Sequence, residues 1–233
     1  MKFSRNGIKV FALFAMLLNH FARGFLTYGS AAYKVCTYTG YFTAITMIYF
    51  LVEGYSHTKN VKKYALRLFL CGVLSQIPYS LYFGGGEIMP NMMFTLFLCL
   101  CLCALYRRAG NNGLKTAGIA LVFGACMFCD WSIMAPFFTL TFLYAGDGTI
   151  KKETAFALNT AFYSLMEILF IQKGIFRPAD AVFRALPLVF AAHILLYRYD
   201  GSKHSQSNFV KRAFYLFYPA HLTVLLLMKT LIK

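Results

Sequence analysis

The stretch AFYLFYPAHLTVLLLMKTL, residues 213–231, decides the fold. It holds no carboxylate, and its one lysine, Lys229, stands near the end. As a helix it is long enough to cross a hydrocarbon core, which takes about 20 apolar residues. Within the run stand Pro219 and His221. Pro219 lacks a backbone donor and frees a carbonyl one turn earlier, near Tyr215. The helix opens there, just before His221, which lies close to the middle of the run and so near the bilayer midplane. A titratable group at that depth is costly unless it is paired or faces a cavity. The stretch reads as a bent membrane helix displaying an imidazole into a cavity; a simple kink and a cross-helix hydrogen bond are the plainer alternatives.

Runs of the same kind recur along all 233 residues, of which 59% are hydrophobic and 13% charged, with a mean hydropathy of +0.59. That composition excludes a water-soluble domain. The expected fold is all-α, a polytopic integral-membrane helical bundle of about nine transmembrane helices forming one domain, 1–233. The helices are expected at 8–28, 40–56, 65–83, 92–106, 114–128, 132–145, 153–171, 181–197 and 213–231. Short loops with Gly, Asn or Pro join them, as in FGGGEIMPN (83–91) and AGNNG (109–113). No linker, low-complexity tail or internal repeat interrupts the pattern, which counts against a transporter built from paired halves. The basic start MKFSRNGIK imitates a signal peptide, but it lacks a small-residue cleavage site and further apolar segments follow. The first segment is therefore expected to be retained.

A net charge of +15 invites a nucleic-acid partner, yet the cations cluster in short loops where membrane topology accounts for them. With the N-terminus in the cytoplasm and nine alternating crossings, 16 of the 23 Lys and Arg fall inside. The protein is expected in the bacterial plasma (inner) membrane with no nucleic acid as partner, and the count of nine crossings hinges on the short sixth helix and the tight CDWS turn at 129–132. The seven cysteines lie mostly in apolar runs, and Cys99, Cys101 and Cys103 scatter around a helix, so they read as packing residues and not as a metal site.

His20 occupies the first helix at a depth similar to that of His221. Each suits the proton traffic of general acid–base work near neutrality, and each also suits a structural hydrogen bond. Tyr218, three residues before His221, shares its face and fits a donor to a developing oxyanion. A second concentration is YFLVEGYSHTKNVKKYALRLF, 49–69. Glu53 and His57 stand four apart, and Lys59, Lys62, Lys63 and Arg67 follow. The basic cluster suits a phosphorylated cofactor approaching from the cytoplasm, anionic lipid headgroups, or topology alone; Glu53 also suits pairing with Arg67. Beyond the opposite end of these helices, Ser75, Gln76, Asn91, Thr95 and Asp130 fit the rim of an outer pocket, with Trp131 as an interfacial anchor. Asn91 equally suits a helix cap. Arg23 fits a carboxylate or snorkels outward. Glu167 and His193 show no local constellation. There is no Walker loop, GxGxxG turn, HExxH, GxSxG elbow or zinc ligand series.

VEGYSHTKNVKKYALRLFLCGVLSQIPYSL (52–81), NMMFTL (91–96) and FYLFYPAHL (214–222), with GIKVFALFAMLLNH (7–20) and FCDWSIM (128–134), resemble the TraX family. The family is named for a conjugation protein that acetylates the amino terminus of F-type pilin. The resemblance implies an integral-membrane acyltransferase using acetyl-CoA. It carries the family's residues onto His20, Glu53, His57, Arg67, Gln76, Asn91, Asp130 and His221. The sequence departs from the family pattern twice: Asn19 precedes His20 where Asp is usual, and Tyr41 stands where an arginine is frequent. The first departure removes an orienting carboxylate from the candidate base, and the second alters donor or acceptor placement.

The expected chemistry is acetyl transfer from cytoplasmic acetyl-CoA to an amine or hydroxyl of an envelope protein, glycan or lipid, with membrane lipids around the chain. His20 and His221 are the expected base and its partner around one reaction space, with Tyr218 assisting. Glu53, His57, Lys59, Lys62, Lys63 and Arg67 serve the donor; Arg23, Gln76, Asn91 and Asp130 serve the acceptor; no metal takes part. A proton-coupled transporter with both histidines in its pathway and a non-catalytic membrane assembly protein remain the alternatives.

Overall fold

A backbone in hydrocarbon must satisfy its own hydrogen bonds, and a helix does so within one segment. The computed structural model describes residues 2–84, 89–108, 110–170, 178–201 and 208–232, and among them the regular elements are helical apart from one isolated bridge. The helices are α1 (Arg5–Phe25), α2 (Ala31–Thr39), α3 (Tyr41–His57), α4 (Val61–Phe83), α5 (Met92–Arg107), α6 (Asn112–Cys126), α7 (Met134–Gly146), α8 (Lys152–Phe170), α9 (Pro178–His193), continued by a π-helical segment (Ile194–Arg198), and α10 (Asn208–Leu231). Residues 85–88 of the FGGGEIMPN loop, residue 109 of AGNNG and Lys203 of the basic count lie outside the described residues.

Nine crossings is corrected to five. Among the described residues, the helices both long and apolar enough to span are Arg5–Phe25, Ala31–His57, Val61–Phe83, Asp180–Arg198 and Ala213–Leu231. The reason is length. α5, α6 and α7 have 16, 15 and 13 residues, about 24, 22 and 20 Å at the helical rise, against a core of about 30 Å. α8 has 19 residues but carries Lys152, Glu153, Asn159 and Glu167 and is not apolar enough. The alternation of sides behind the cytoplasmic N-terminus falls with the nine crossings.

α2 was not expected. Ser30 caps it by accepting from Tyr33 N at 3.2 Å, and Gly40, with helical φ −64° and ψ −20°, carries the chain on into α3. The two helices together make the 27-residue span where the sequence pointed only to 40–56.

The chain clusters into two compact units, Met1–Tyr49 with Thr141–Lys203, and Phe50–Leu140 with His204–Lys233. In the first, α1 packs on α2, α2 on α9, and α8 on α9. Gly40 lets two segments approach: a Cβ there would stand 2.3 Å from Cβ of Asn19. Thr43 Oγ1 donates to Ala12 O at 2.5 Å, and Phe11, Phe42 and Phe190 form a ring cluster with centroids 5.0–6.3 Å apart. In the second unit, α4 packs on both α10 and α5, and α5 on α6. α4 buries Leu68, Cys71, Ser75, Tyr79 and Tyr82 and exposes Leu66, Leu70, Val73, Leu74, Ile77 and Leu81. An exposed stripe of large aliphatic side chains at helical spacing is a lipid-facing surface.

Candidate functional site

In the first unit α1 presents three polar residues within its last two turns. His20 is buried at 7% exposure. Asn19, beside it, donates through Nδ2 to Thr37 O at 2.7 Å. Arg23 follows one turn later. Asn19 and Arg23 line a cavity of about 350 Å³ with Tyr28 from the turn after α1. Tyr33, Thr37 and Tyr38 of α2, Tyr41 at the start of α3 and Arg184 of α9 complete it. Asn19 and Tyr41, the two departures noted in the sequence, therefore both stand in this lining.

The walls are held by contacts that local sequence does not reveal. Arg184 forms an ion pair with Glu167 of α8, and its guanidinium sits 5.2 Å from the Tyr38 ring centroid. Tyr38 stacks on Tyr41 with centroids 6.0 Å apart, and Tyr41 lies 5.6 Å from Tyr163. Lys34 bridges both oxygens of Asp180, at 3.2 and 3.0 Å, joining α2 to α9. Sequence reasoning left Glu167 without a constellation and passed over Arg184. The available signal was one residue of each sign in consecutive apolar runs, where an unpaired charge is expensive.

In the second unit α10 carries His221 and Tyr218, both buried. His221 Nδ1 lies 2.8 Å from Phe217 O. A carbonyl can only accept, so Nδ1 bears the proton and Nε2 the lone pair in the neutral ring. The imidazole stacks on Phe217 (5.0 Å, 14°) and meets Tyr218 edge-on (5.5 Å, 65°). The Tyr215 carbonyl that Pro219 leaves without its helical donor receives Cys71 Sγ from α4 at 3.3 Å. The carbonyl beside the proline is thus tied to the neighbouring helix.

Tyr218 is within electrostatic reach of Asp130, Tyr79 and the Met92 backbone. Gln76 and Asn91 are joined to one another. Gln76 Oε1 accepts from Asn91 N (3.1 Å) and Nδ2 (2.9 Å), while Gln76 Nε2 donates to Ser80 Oγ and Met89 O, each at 3.0 Å. Asn91 Nδ2 also donates to Gly72 O at 2.8 Å, and its Oδ1 caps α5 by accepting from Met93 N at 3.0 Å. Asp130 accepts from Trp131 N at 3.0 Å, its own N–H donates to Pro90 O at 3.0 Å, and its carbonyl accepts from Thr95 Oγ1 at 2.7 Å. This clasp holds the turn in which Trp131 and Ser132 take φ of 61° and 22°, values that bulky residues rarely adopt.

The basic segment lies at the head of α4. His57 Nδ1 donates to Glu53 O at 2.8 Å, and Asn60 caps α4 by accepting from Lys63 N at 2.8 Å. Lys59, Lys62, Lys63 and Arg67 are exposed. The Arg67 guanidinium lies 5.8 Å from the Tyr64 ring and 5.9 Å from the Tyr215 ring. The structure thus groups Gln76 with Asn91, Tyr218 with His221, Glu53 with His57, and Asn19 with Arg23. His20 belongs to the first unit and His221 to the second. Among the described residues no three His, Cys, Asp or Glu side chains converge as a metal site would need.

Residues 4–229 match the family described as TraX protein. Over 242 aligned residues the chain is 34% identical to the probable fimbrial assembly protein FimC, serogroup H1, of Dichelobacter nodosus, an alignment spanning 96% of this chain and 94% of that protein. No solved structure matches. With a family match over nearly its whole length and five helices fit to span a bilayer, the chain belongs to the TraX family of membrane acetyltransferase-like proteins and is a multi-pass protein of the inner membrane.

Proposed function

We propose that this protein moves an acetyl group from acetyl-CoA to an amine or hydroxyl of an envelope protein, glycan or lipid. The observation that carries the reading is the burial of two imidazoles, His20 at 7% and His221 at 6% exposure, in spanning helices of a TraX-family chain. Both residues are buried, and an ionisable side chain inside a spanning helix is a functional-site hypothesis by default.

His20 takes the proton from the acceptor. Its neighbours Asn19 and Arg23 line the first-unit cavity, which suits it to receive that acceptor. Taken by itself, the second unit offers an alternative: His221, whose Nδ1 proton is directed at Phe217 O, presents Nε2 as a base or, once protonated, as a donor to a carbonyl oxygen, with Tyr218 beside it. The residues present fit a donor bearing phosphates: Lys59, Lys62 and Lys63 are exposed where α4 begins, and cations at a helix N-terminus favour anions. When bound, acetyl-CoA supplies the thioester whose C–S bond breaks as the new C–N or C–O bond forms. The proton removed from the acceptor returns to the departing thiolate.

Purified His20→Ala and His221→Ala variants, supplied with labelled acetyl-CoA and envelope acceptor fractions, are expected to lose transfer while remaining folded and present in the membrane. Retained turnover in both variants removes the histidines from the chemistry. The description of the Dichelobacter nodosus relative as a probable fimbrial assembly protein favours a second reading, a membrane assembly role without catalysis. A folded protein that binds no acetyl-CoA, in cells whose envelope acetylation is unchanged when the gene is deleted, decides for that reading.

A further inference from the structure

The cavity of the first unit has a composition that selects its ligand. Two of its lining residues, Arg23 and Arg184, are guanidinium cations, and the remaining lining side chains are four phenols, a hydroxyl and an amide. No carboxylate is among them. A guanidinium carries five N–H donors in a planar fork that matches an oxoanion bidentately. Glu167 holds Arg184 from α8, and a guanidinium, with five N–H donors, can bond a carboxylate and a second oxoanion together. Phenol and threonine hydroxyls add neutral donors around the two charges.

The walls are fixed in advance. The Lys34–Asp180 bridge and the Arg184–Tyr38 contact both join α2 to α9, and the Asn19–Thr37 bond joins α1 to α2. Fixed donors lose less freedom on binding than mobile ones. The cavity also sits at a particular level. Arg23 lies in the last turn of α1, and Arg184 lies near the start of the span Asp180–Arg198. Residues at the ends of spanning segments stand where headgroup phosphates are found. A volume of about 350 Å³ is at the small end of ligand pockets and suits a headgroup-sized ester, not a whole lipid or peptide.

The geometry points to an oxoanion site in this cavity, one that grips a phosphate ester between Arg23 and Arg184. The phosphate belongs to a phospholipid headgroup or to a soluble phosphate ester; the recognition chemistry is shared. This names the substrate class of the proposed acetyltransferase, and it rests on that reading only in calling the bound ester the acceptor.

The test is binding, kept separate from turnover. Delipidated full-length protein in neutral detergent is titrated with sn-glycerol 3-phosphate, and the same protein in zwitterionic nanodiscs is titrated with phosphatidylglycerol; native mass spectrometry and calorimetry follow each. Wild type is expected to bind one probe saturably. Arg23→Gln is expected to weaken that binding about ten-fold or more, as loss of a charge-assisted contact should, with the melting temperature unchanged. Tyr33→Phe, a smaller change in the same lining, is expected to weaken it less. Binding of the lipid alone assigns the headgroup, and binding of glycerol phosphate assigns a soluble ester. No saturable binding of either probe by wild type, or equal binding by wild type and Arg23→Gln, overturns the site. Protein that binds phosphate but never transfers acetyl removes the acetyltransferase reading and leaves the oxoanion site standing. Protein that transfers acetyl without binding phosphate does the reverse.

Discussion

A Cβ on Gly40 would lie 2.3 Å from Cβ of Asn19, far inside contact distance, and the atom it meets is fixed to the α1 backbone. Gly40→Ala must therefore push α1 away from the α2–α3 junction. Overpacking of this kind costs about 1–3 kcal/mol, so the purified variant should melt at a lower temperature than wild type in the same detergent. An unchanged melting temperature would show that the junction yields freely. Pro219 makes a different lesson at the same scale. That it frees the Tyr215 carbonyl follows from covalent structure alone, but that Cys71, 144 positions away, donates to it does not. Asn91 was legible as a cap because capping is a short-range bond; its tie to Gln76 and Gly72 depends on how α4 meets α5.

Among the elements, α4 carries two surfaces with separate tasks. Its long aliphatic stripe meets lipid, while its first turns expose Lys62, Lys63 and Arg67, with Lys59 just ahead of the Asn60 cap. If these cations receive the donor's phosphates, replacing Lys59, Lys62 and Lys63 together by Gln should raise the Kd for acetyl-CoA roughly ten-fold, each exposed charge adding up to about 1 kcal/mol. The salt dependence of binding should also flatten. Calorimetry at two ionic strengths reads both effects, and a variant with unaltered affinity and salt response would leave the lysines to lipid or topology. This surface was legible because a run of Lys residues is a local property. α2 was not: its nine residues fell between the expected helices 8–28 and 40–56, and only its continuation through Gly40 into α3 makes a span.

For the whole molecule, the five spans leave no helix fit to cross among the described residues between Phe83 and Asp180. Reporter fusions at Gly84, Gly110 and Gly148, each in a connection between helices, should then report the same side of the membrane. Nine crossings would put positions 110 and 148 opposite position 84. The count was misjudged because apolarity was read as spanning, whereas α5, with Leu96, Cys99, Leu100, Leu102 and Cys103 buried, spends its apolar side chains on protein contacts. Hydropathy alone does not separate a short core helix from a membrane helix; length against bilayer thickness does.

The sequence by itself determined that this chain is helical, that it lives in a bilayer and that it is TraX-like, because apolar runs and short motifs are written in consecutive residues. The tertiary structure decided which helices are long enough to cross, that Glu167 meets Arg184, and that Asn19, Arg23, Tyr41 and Arg184 share one cavity. Those facts depend on where separate helices come to lie against each other, and spacing along the chain does not encode that position.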